Sequence, residues 1–102
     1  MKYLIHTDLK LKYGSIPRLT DAMETMVPFL GAQGWTLIGA YHAIVGSFNQ
    51  VTHFWEVEDL NCIPAALAAA QSTPGVMEIV ERFADYVVEE NLQLVTRMPY
   101  SP

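Results

Sequence analysis

The sequence predicts an α+β fold, with one four-stranded antiparallel sheet and helices packed on one of its faces. Three patterns lead to this prediction. Apolar and polar residues alternate between residues 3 and 12, which is the period of a strand with one buried side. Apolar residues then recur at steps of three and four from Ile16 to Leu30, as in a helix with one buried stripe. Further on, two strand patterns rich in aromatic and β-branched residues flank a short turn, which indicates a hairpin.

The first strand is predicted to have one apolar face and one polar face. The apolar face holds Tyr3, Ile5, Leu9 and Leu11, and the polar face holds His6, Asp8, Lys10 and Lys12. The helix that follows is predicted to begin at Ser15, whose hydroxyl is suited to cap it, with Pro17 in its first turn. Pro28 is expected to kink this helix or end it early, because proline donates no backbone hydrogen bond. The stretch GAQG, residues 31–34, then closes it.

The hairpin joins the stretch WTLIGAYHAIV, residues 35–45, to the stretch QVTHFWEVE, residues 50–58, through the turn GSFN. A second helix is predicted in EDLNCIPAALAAAQ, started by Asp59 or Asn61. Thr73 and Pro74 then repeat the cap-and-proline start before another helical stripe.

A last strand is predicted near LQLVTRM, residues 92–98. The resulting order, β-α-β-β-α-β, is that of the ferredoxin-like unit, and we expect a single domain over residues 1–102. Helices cover one face of such a sheet, so the composition of the other face becomes informative about function.

The composition favours a protein that buries part of its surface against a second copy of itself. Of the 102 residues, 51% are hydrophobic and only 17% are charged. A small domain gains much from additional buried area, so we expect a homodimer, with dimers of dimers as a further option.

The charge pattern argues against nucleic acids and membranes as partners. The net charge is −5 and no Lys/Arg cluster occurs, whereas nucleic-acid binding requires many cationic side chains. No apolar run approaches the roughly 20 residues that span a bilayer, and His6 and Asp8 interrupt the N-terminal apolar stretch, unlike in a signal peptide. Cys62 is the single cysteine, so no intrachain disulfide is expected. These features predict a soluble, cytoplasmic protein.

The register of the hairpin determines which side chains meet. If the turn has two or four residues, His42 lies directly opposite His53; a three-residue turn with a bulge would pair His53 with Ala43 and Tyr41 with Trp55. We favour the first register. One face then carries Ile38, Ala40, His42, Ile44, Val51, His53, Trp55 and Val57, and the other carries Tyr41, Ala43, Val45, Thr52, Phe54 and Glu56. Both faces are largely apolar, so both are expected to be covered.

Two facing histidines beside a tryptophan admit several interpretations. They can be packed sheet residues with satisfied polar tips, or they can line a small-molecule cavity. Metal binding is disfavoured, because no carboxylate lies at a recognisable ligand spacing from His42 or His53. His6 could join the site only if the polar face of the first strand lined the cavity.

The stretch FNQVTHFWEVEDL resembles the core motif of the NIPSNAP family, in which a strand begins at an asparagine and continues through a histidine and a tryptophan to an acidic residue. The matching positions here are Asn49, His53, Phe54, Trp55 and Asp59. The ending MPYSP is similar to the family's proline- and tyrosine-bearing tail. Family members tend to begin the second helix with arginines; the present chain has Asn61, Cys62, Ile63 and Pro64 there, which puts any role of those basic residues in doubt.

The resemblance implies a dimeric α+β barrel, in which two ferredoxin-like units press their open sheet faces together. It also implies that a cavity can lie between the sheet and the helices. The superfamily includes cofactor-free monooxygenases, isomerases, haem-handling proteins and dimers without known activity, so the fold leaves the chemistry open.

Three functions follow as hypotheses, none of which requires a cofactor. In the first, a homodimer binds a mostly apolar organic molecule, with contacts drawn from Tyr3, His6, His42, Asn49, His53, Phe54 and Trp55. In the second, a cofactor-free enzyme uses His53 or His42 as general base, with the other histidine or Tyr41 as proton donor. In the third, the protein is a structural or interaction module. Haem binding through an imidazole is a weaker option.

Overall fold

The computed structural model describes residues 2–46 and 48–102, in which three helices pack on one face of an antiparallel four-stranded sheet. The strands are β1 (Tyr3–Leu11), β2 (Thr36–His42), β3 (Gln50–Val57) and β4 (Val87–Val95). The helices are α1 (Ile16–Ala32), α2 (Cys62–Gln71) and α3 (Pro74–Tyr86). The strand order is β2-β3-β1-β4. The predicted α+β, ferredoxin-like fold is confirmed, with the second helical connection divided into α2 and α3.

The two inner strands, β1 and β3, follow the alternation that the sequence predicts. Ile5 and Leu11 of β1 and Val57 of β3 face the helices and are at most 2% exposed. Their neighbours along each strand face the other way. Burial of one such aliphatic side chain stabilises the fold by about 1.5–3 kcal/mol, so this alternating face is the main stabilising element of the sheet.

Helix α1 begins where the sequence predicts but does not end where Pro28 suggests. Ser15 occupies the position before the helix, although its side chain makes no capping hydrogen bond. The helix continues through Pro28 to Ala32, so the predicted early end is wrong. Pro28 removes one backbone donor close to the C-terminus, a loss that the burial of Leu19 and Met26 along the same helix outweighs. Gly34, with φ of 93°, provides the turn that follows.

Strand β4 starts earlier than predicted, immediately after α3. Val87 follows Tyr86 without a connecting loop, and the strand ends at Val95. Its first half contains Glu89 and Glu90, which conceal the strand pattern in the sequence. Because β4 is an edge strand paired only with β1, these carboxylates stay in solvent while the backbone completes the sheet.

The protein is flat, with principal extents of 38 × 38 × 19 Å, because helices cover only one face of the sheet. Among the residues described, no helix is both long enough and apolar enough to cross a membrane. The cellular location remains a prediction from the sequence.

Candidate functional site

The β2–β3 pairing differs from the predicted register. His53 lies opposite Ala40, and His42 lies opposite Val51, so the prediction that the two histidines face each other is wrong, as is the alternative pairing with Ala43. The reason is that the chain leaves the sheet after His42. Residues 43–46, 48 and 49 belong to the connection, in which Ile44 and Val45 are exposed.

A bulge at Ile38 changes which β2 residues face the helices. The register shifts between Leu37 and Gly39, so that Leu37 pairs with Trp55. Leu37 consequently packs against the core, whereas Ile38 is 54% exposed. The prediction that Ile38 shares a face with His53 and Trp55 is therefore wrong. One extra residue at the bulge inverts the alternation of the residues that precede it in the strand.

A cavity of about 250 Å³ lies between the sheet and the helices. Most of its wall is apolar and comes from elements far apart in the sequence. The apolar wall includes Met23, Met26, Phe29, Trp35, Trp55 and Phe83. The polar groups on its surface are those of Thr7, His53 and Glu90. A mostly apolar cavity with few polar groups is the usual form of a small-molecule site.

The two buried polar groups of the cavity are cross-strand neighbours. Thr7 of β1 lies directly opposite His53 of β3, and the two residues are 7% and 5% exposed. No described residue hydrogen-bonds to either side chain. Within the described ranges, every side-chain nitrogen or oxygen that is fully buried has a hydrogen-bond partner. The polar atoms of Thr7 and His53 have no such partner, so they are not fully buried and keep some accessible surface where they line the cavity. Thr7 and His53 are thus two neighbouring side chains whose hydrogen-bonding groups are not used by other described residues of the protein.

The imidazole of His53 is held in its neutral form. Burial lowers its pKa below the ordinary value of 6.5, because the charged form loses hydration. A neutral imidazole offers one donor and one acceptor nitrogen. The ring of Trp55 meets His53 edge-on at 6.0 Å between centroids, which restricts the orientation of the imidazole.

Two tryptophans form a rigid part of the cavity wall. Trp35 and Trp55 pack edge to face with 5.8 Å between their centroids. The indole Nε1 of Trp35 donates a hydrogen bond of 3.3 Å to the carbonyl oxygen of Cys62, the first residue of α2. This bond ties the indole ring of Trp35 to the start of α2.

The exposed members of the lining mark the opening of the cavity. Leu67 of α2 is 65% exposed and Leu92 of β4 is 48% exposed, and Glu90 is also exposed. The opening therefore lies between α2 and β4, with Glu90 as its charged group.

A larger depression of about 570 Å³ is less suited to an organic ligand. Its lining includes Lys2, Glu56, Glu58 and Asp59, and the Nζ atom of Lys2 lies 3.2 Å from Oε1 of Glu56. Such a charged, open surface does not bury apolar atoms. Burial, and then the nearby Asp59, raise the pKa of the Cys62 thiol in its wall, which favours the unreactive protonated form. Across the described residues, no three His, Cys, Asp or Glu side chains are grouped to hold a metal ion.

The sheet face away from the helices carries an aromatic strip, formed by His6, Phe54 and Tyr41. His6 stacks on Phe54 with 4.9 Å between centroids, and Tyr41 meets Phe54 edge-on at 6.1 Å. The Tyr41 ring lies over Gly39, where any Cβ would come within 2.7 Å of its hydroxyl.

Polar groups adjoin the aromatic strip. The Thr52 hydroxyl donates a 2.7 Å hydrogen bond to Oδ1 of Asp8, and Nε2 of His6 lies 3.3 Å from Oδ2 of the same carboxyl. The Thr52 hydrogen bond is the main reason why the pKa of Asp8 is lowered. This face is thus mixed in character: β2 and β3 contribute Tyr41 and Phe54, and β1 contributes the polar residues His6 and Asp8, as predicted for the first strand.

Of the residues proposed from the sequence, His53 and Trp55 meet at the cavity, and the others lie elsewhere. Phe54, His6 and Tyr41 lie on the opposite face of the sheet. His42 is exposed, with Nε2 hydrogen-bonded to the carbonyl oxygen of Phe48.

Two further residues proposed from the sequence, Tyr3 and Asn49, are not part of the cavity lining and contribute to the fold instead. Tyr3 is half-buried against the core cluster that contains both tryptophans. The carbonyl oxygen of Asn49 accepts a 2.8 Å hydrogen bond from the backbone N–H of Leu11.

Sequence reasoning missed Thr7 and Glu90. Thr7 interrupts the apolar face of β1 with a hydroxyl, and that interruption is the signal that could have identified it. Glu90 lies before the predicted start of β4, so it was not assigned to the sheet. The helix residues of the cavity carried no signal, because buried methionines and phenylalanines are typical of any core.

Comparison with known proteins identifies a family and a fold. The NIPSNAP family model matches residues 8–102. No curated protein matches the chain significantly in sequence.

Several solved structures share the fold over almost the whole chain. An uncharacterized NIPSNAP-like domain protein from Burkholderia xenovorans has a TM-score of 0.79 at 22% identity, covering 99% of this chain and 89% of its own. A NIPSNAP family protein with unknown function from Agrobacterium tumefaciens has a TM-score of 0.82 at 18% identity, covering 99% and 92%. A cofactor-independent oxygenase from Streptomyces nogalater has a TM-score of 0.75 at 14% identity, covering 99% and 97%.

Proposed function

The chain belongs to the NIPSNAP family, and from its geometry we propose that it is a homodimer whose protomers each bind a small, mostly apolar organic molecule between sheet and helices. One observation carries the binding part of this proposal. His53 and Thr7 present unused hydrogen-bonding groups to a cavity whose walls are otherwise apolar. Unpaired polar groups in such a place are costly unless a ligand or solvent satisfies them.

The size of the cavity limits the ligand. A volume of about 250 Å³ lies slightly below the range of roughly 300–1,000 Å³ that is typical of drug-sized ligands. We therefore propose a compact molecule, such as two fused rings, with one oxygen that hydrogen-bonds to His53 or Thr7. The flat walls made by Trp35 and Trp55 favour a planar body.

The bicyclic ketone 2-tetralone is a suitable probe. We expect it to bind with a Kd on the order of 100 µM, which is reasonable for so few atoms. Both tryptophans of the chain line the cavity, so quenching of their fluorescence reports occupancy. Changing His53 to Leu removes one hydrogen bond and is expected to weaken binding up to about tenfold.

The control for this experiment is His42→Leu, which makes the same chemical change at an exposed histidine outside the cavity. Its affinity for 2-tetralone should equal that of the wild type. Equal affinities of all three proteins would contradict a hydrogen bond from the ligand to His53. Absence of quenching in the wild type would contradict the assignment of the cavity as a binding site.

A cofactor-free enzyme is the second candidate, favoured by the neutral imidazole of His53 at the cavity wall and by the fold shared with a cofactor-independent oxygenase. His53 would act as general base toward an acidic C–H of the bound molecule. The same probe distinguishes catalysis from binding, because a general base would accelerate exchange of the α-hydrogens of 2-tetralone in D₂O, as followed by NMR. Exchange at the buffer rate despite occupancy would leave binding as the function.

The homodimer is proposed from the uncovered sheet face. The strip of His6, Phe54 and Tyr41 crosses three strands there, and Tyr41 is 62% exposed. Other large apolar side chains, on this face and elsewhere, are also at least half exposed. They are Tyr13, Ile38, Ile44, Val45, Phe48, Leu67, Val88, Met98 and Tyr100. A second copy, docked sheet to sheet, would cover the strip.

Light scattering tests the dimer. At micromolar concentration we expect a mass about twice the 11.4 kDa of one chain. Changing Phe54 to Glu places an unpaired charge in the centre of the proposed interface, so that this variant should elute at the monomer mass.

The matched control is Tyr13→Glu, because Tyr13 is an exposed aromatic residue, 92% accessible, in the turn after β1 rather than on the sheet. This variant should remain dimeric. A wild-type mass of one chain, or a dimeric Phe54→Glu variant, would contradict association through this face.

A further inference from the structure

We propose that Glu90 selects ligands by charge: its carboxylate stands at the mouth of the cavity, where it admits uncharged molecules and disfavours anionic ones. This inference rests on the proposed ligand-binding function. It assigns a specificity role to a residue that lies outside the NIPSNAP-like hairpin.

The position of Glu90 follows from the sheet register. Glu90 pairs with Leu9, and Leu92, two residues further along β4, pairs with Thr7. Residues two apart on a strand project to the same face, so Glu90 lies one row of side chains from the polar pair of Thr7 and His53. The other exposed lining residues, Leu67 and Leu92, are apolar, so the Glu90 carboxylate is the charged group that a ligand meets at the described opening on its way to this pair.

No positive charge offsets Glu90 at the cavity. No Lys or Arg is among the described lining residues, and none of the ion pairs in the described part of the chain includes Glu90. A surface that Arg18 and Arg82 line is a separate groove between α1 and α3. The imidazole of His53, kept neutral by burial, adds no cationic partner. An anionic ligand would thus meet the repulsion of Glu90 with no attracting positive charge among the described lining residues.

Neutral and charged probes of equal shape test the proposal. The planar pair 2-naphthamide and 2-naphthoate differs in charge but hardly in size, and calorimetry at low salt measures both affinities. We expect the wild type to bind the amide more tightly. Changing Glu90 to Gln should raise the affinity for naphthoate about tenfold and leave that for naphthamide unchanged, with the difference shrinking in about 0.5 M salt.

The matched control is Glu89→Gln, which changes the net charge equally but pairs with Lys10 on the other face of the sheet. Its affinities for both probes should match those of the wild type. An unchanged preference in Glu90→Gln, or an equal change in Glu89→Gln, would overturn the role of Glu90 while leaving ligand binding intact. Failure of naphthamide to bind any of the three proteins would instead refute the binding function itself, and with it this inference.

Discussion

Replacing Trp55 by alanine is expected to lower the free energy of unfolding by about 3–5 kcal/mol. Trp55 is 3% exposed and belongs to the core cluster with Ile5, Trp35 and Val57. It pairs with Ile5 on one neighbouring strand and with Leu37 on the other. Truncation would remove the indole from the centre of the sheet and enlarge a cavity that already exists beside it.

Urea unfolding, followed by far-UV circular dichroism at a fixed protein concentration, measures this loss. Circular dichroism is preferable to fluorescence because the change removes one of the two tryptophans. Since domains of this kind are typically stable by about 5–15 kcal/mol, the midpoint should shift strongly. Tyr100→Ala serves as control: Tyr100 is 82% exposed, so its loss should change stability by less than about 0.5 kcal/mol. A loss below about 1 kcal/mol for Trp55→Ala would contradict its place in the core.

Stability is expected to fall as the pH is lowered from about 7 toward 5, because of His53. Burial lowers the pKa of this imidazole in the folded protein, whereas in the unfolded chain it titrates near 6.5. Below that pH the unfolded state binds a proton that the folded state does not, so protons drive unfolding. This destabilisation is absent above the pKa that His53 has in the unfolded chain. It grows as the pH falls toward the pKa of His53 in the folded protein, by at most about 1.4 kcal/mol per pH unit.

The comparison of wild type with His53→Gln isolates this effect. Glutamine keeps a polar side chain of similar size but has no proton to gain, so the unfolding free energy of the variant should depend less on pH between 7 and 5. Asp8 does not confuse the result. The lowered pKa of Asp8 provides stability that is present above the ordinary value of 3.8 and is lost as the pH falls through the pKa of Asp8 in the folded protein. That loss occurs at lower pH than the range from 7 to 5 in which His53 is tested. Identical pH profiles of the two proteins would contradict the burial of a neutral His53.

The local patterns of the sequence determined the elements and the faces of the inner strands. Alternation in β1 and β3 placed Trp55 and His53 on one face and Phe54 on the other, because a strand reverses its side chains at every residue; which of the two faces the helices cover was left to the tertiary structure. The cap-and-proline pairs located the starts of α1 and α3. These features depend on neighbours along the chain, so they can be read from one sequence.

Tertiary structure decided the register of the hairpin and which residues line the cavity. A slip of two residues leaves every side chain on its face, so alternation could not distinguish a His42–His53 pair from the actual Ala40–His53 pair. The cavity arises where α1, α2, α3 and the sheet fail to fill the space between them. Which groups meet there, including Thr7 opposite His53 and Glu90 at the mouth, depends on the packing of segments that are distant in sequence.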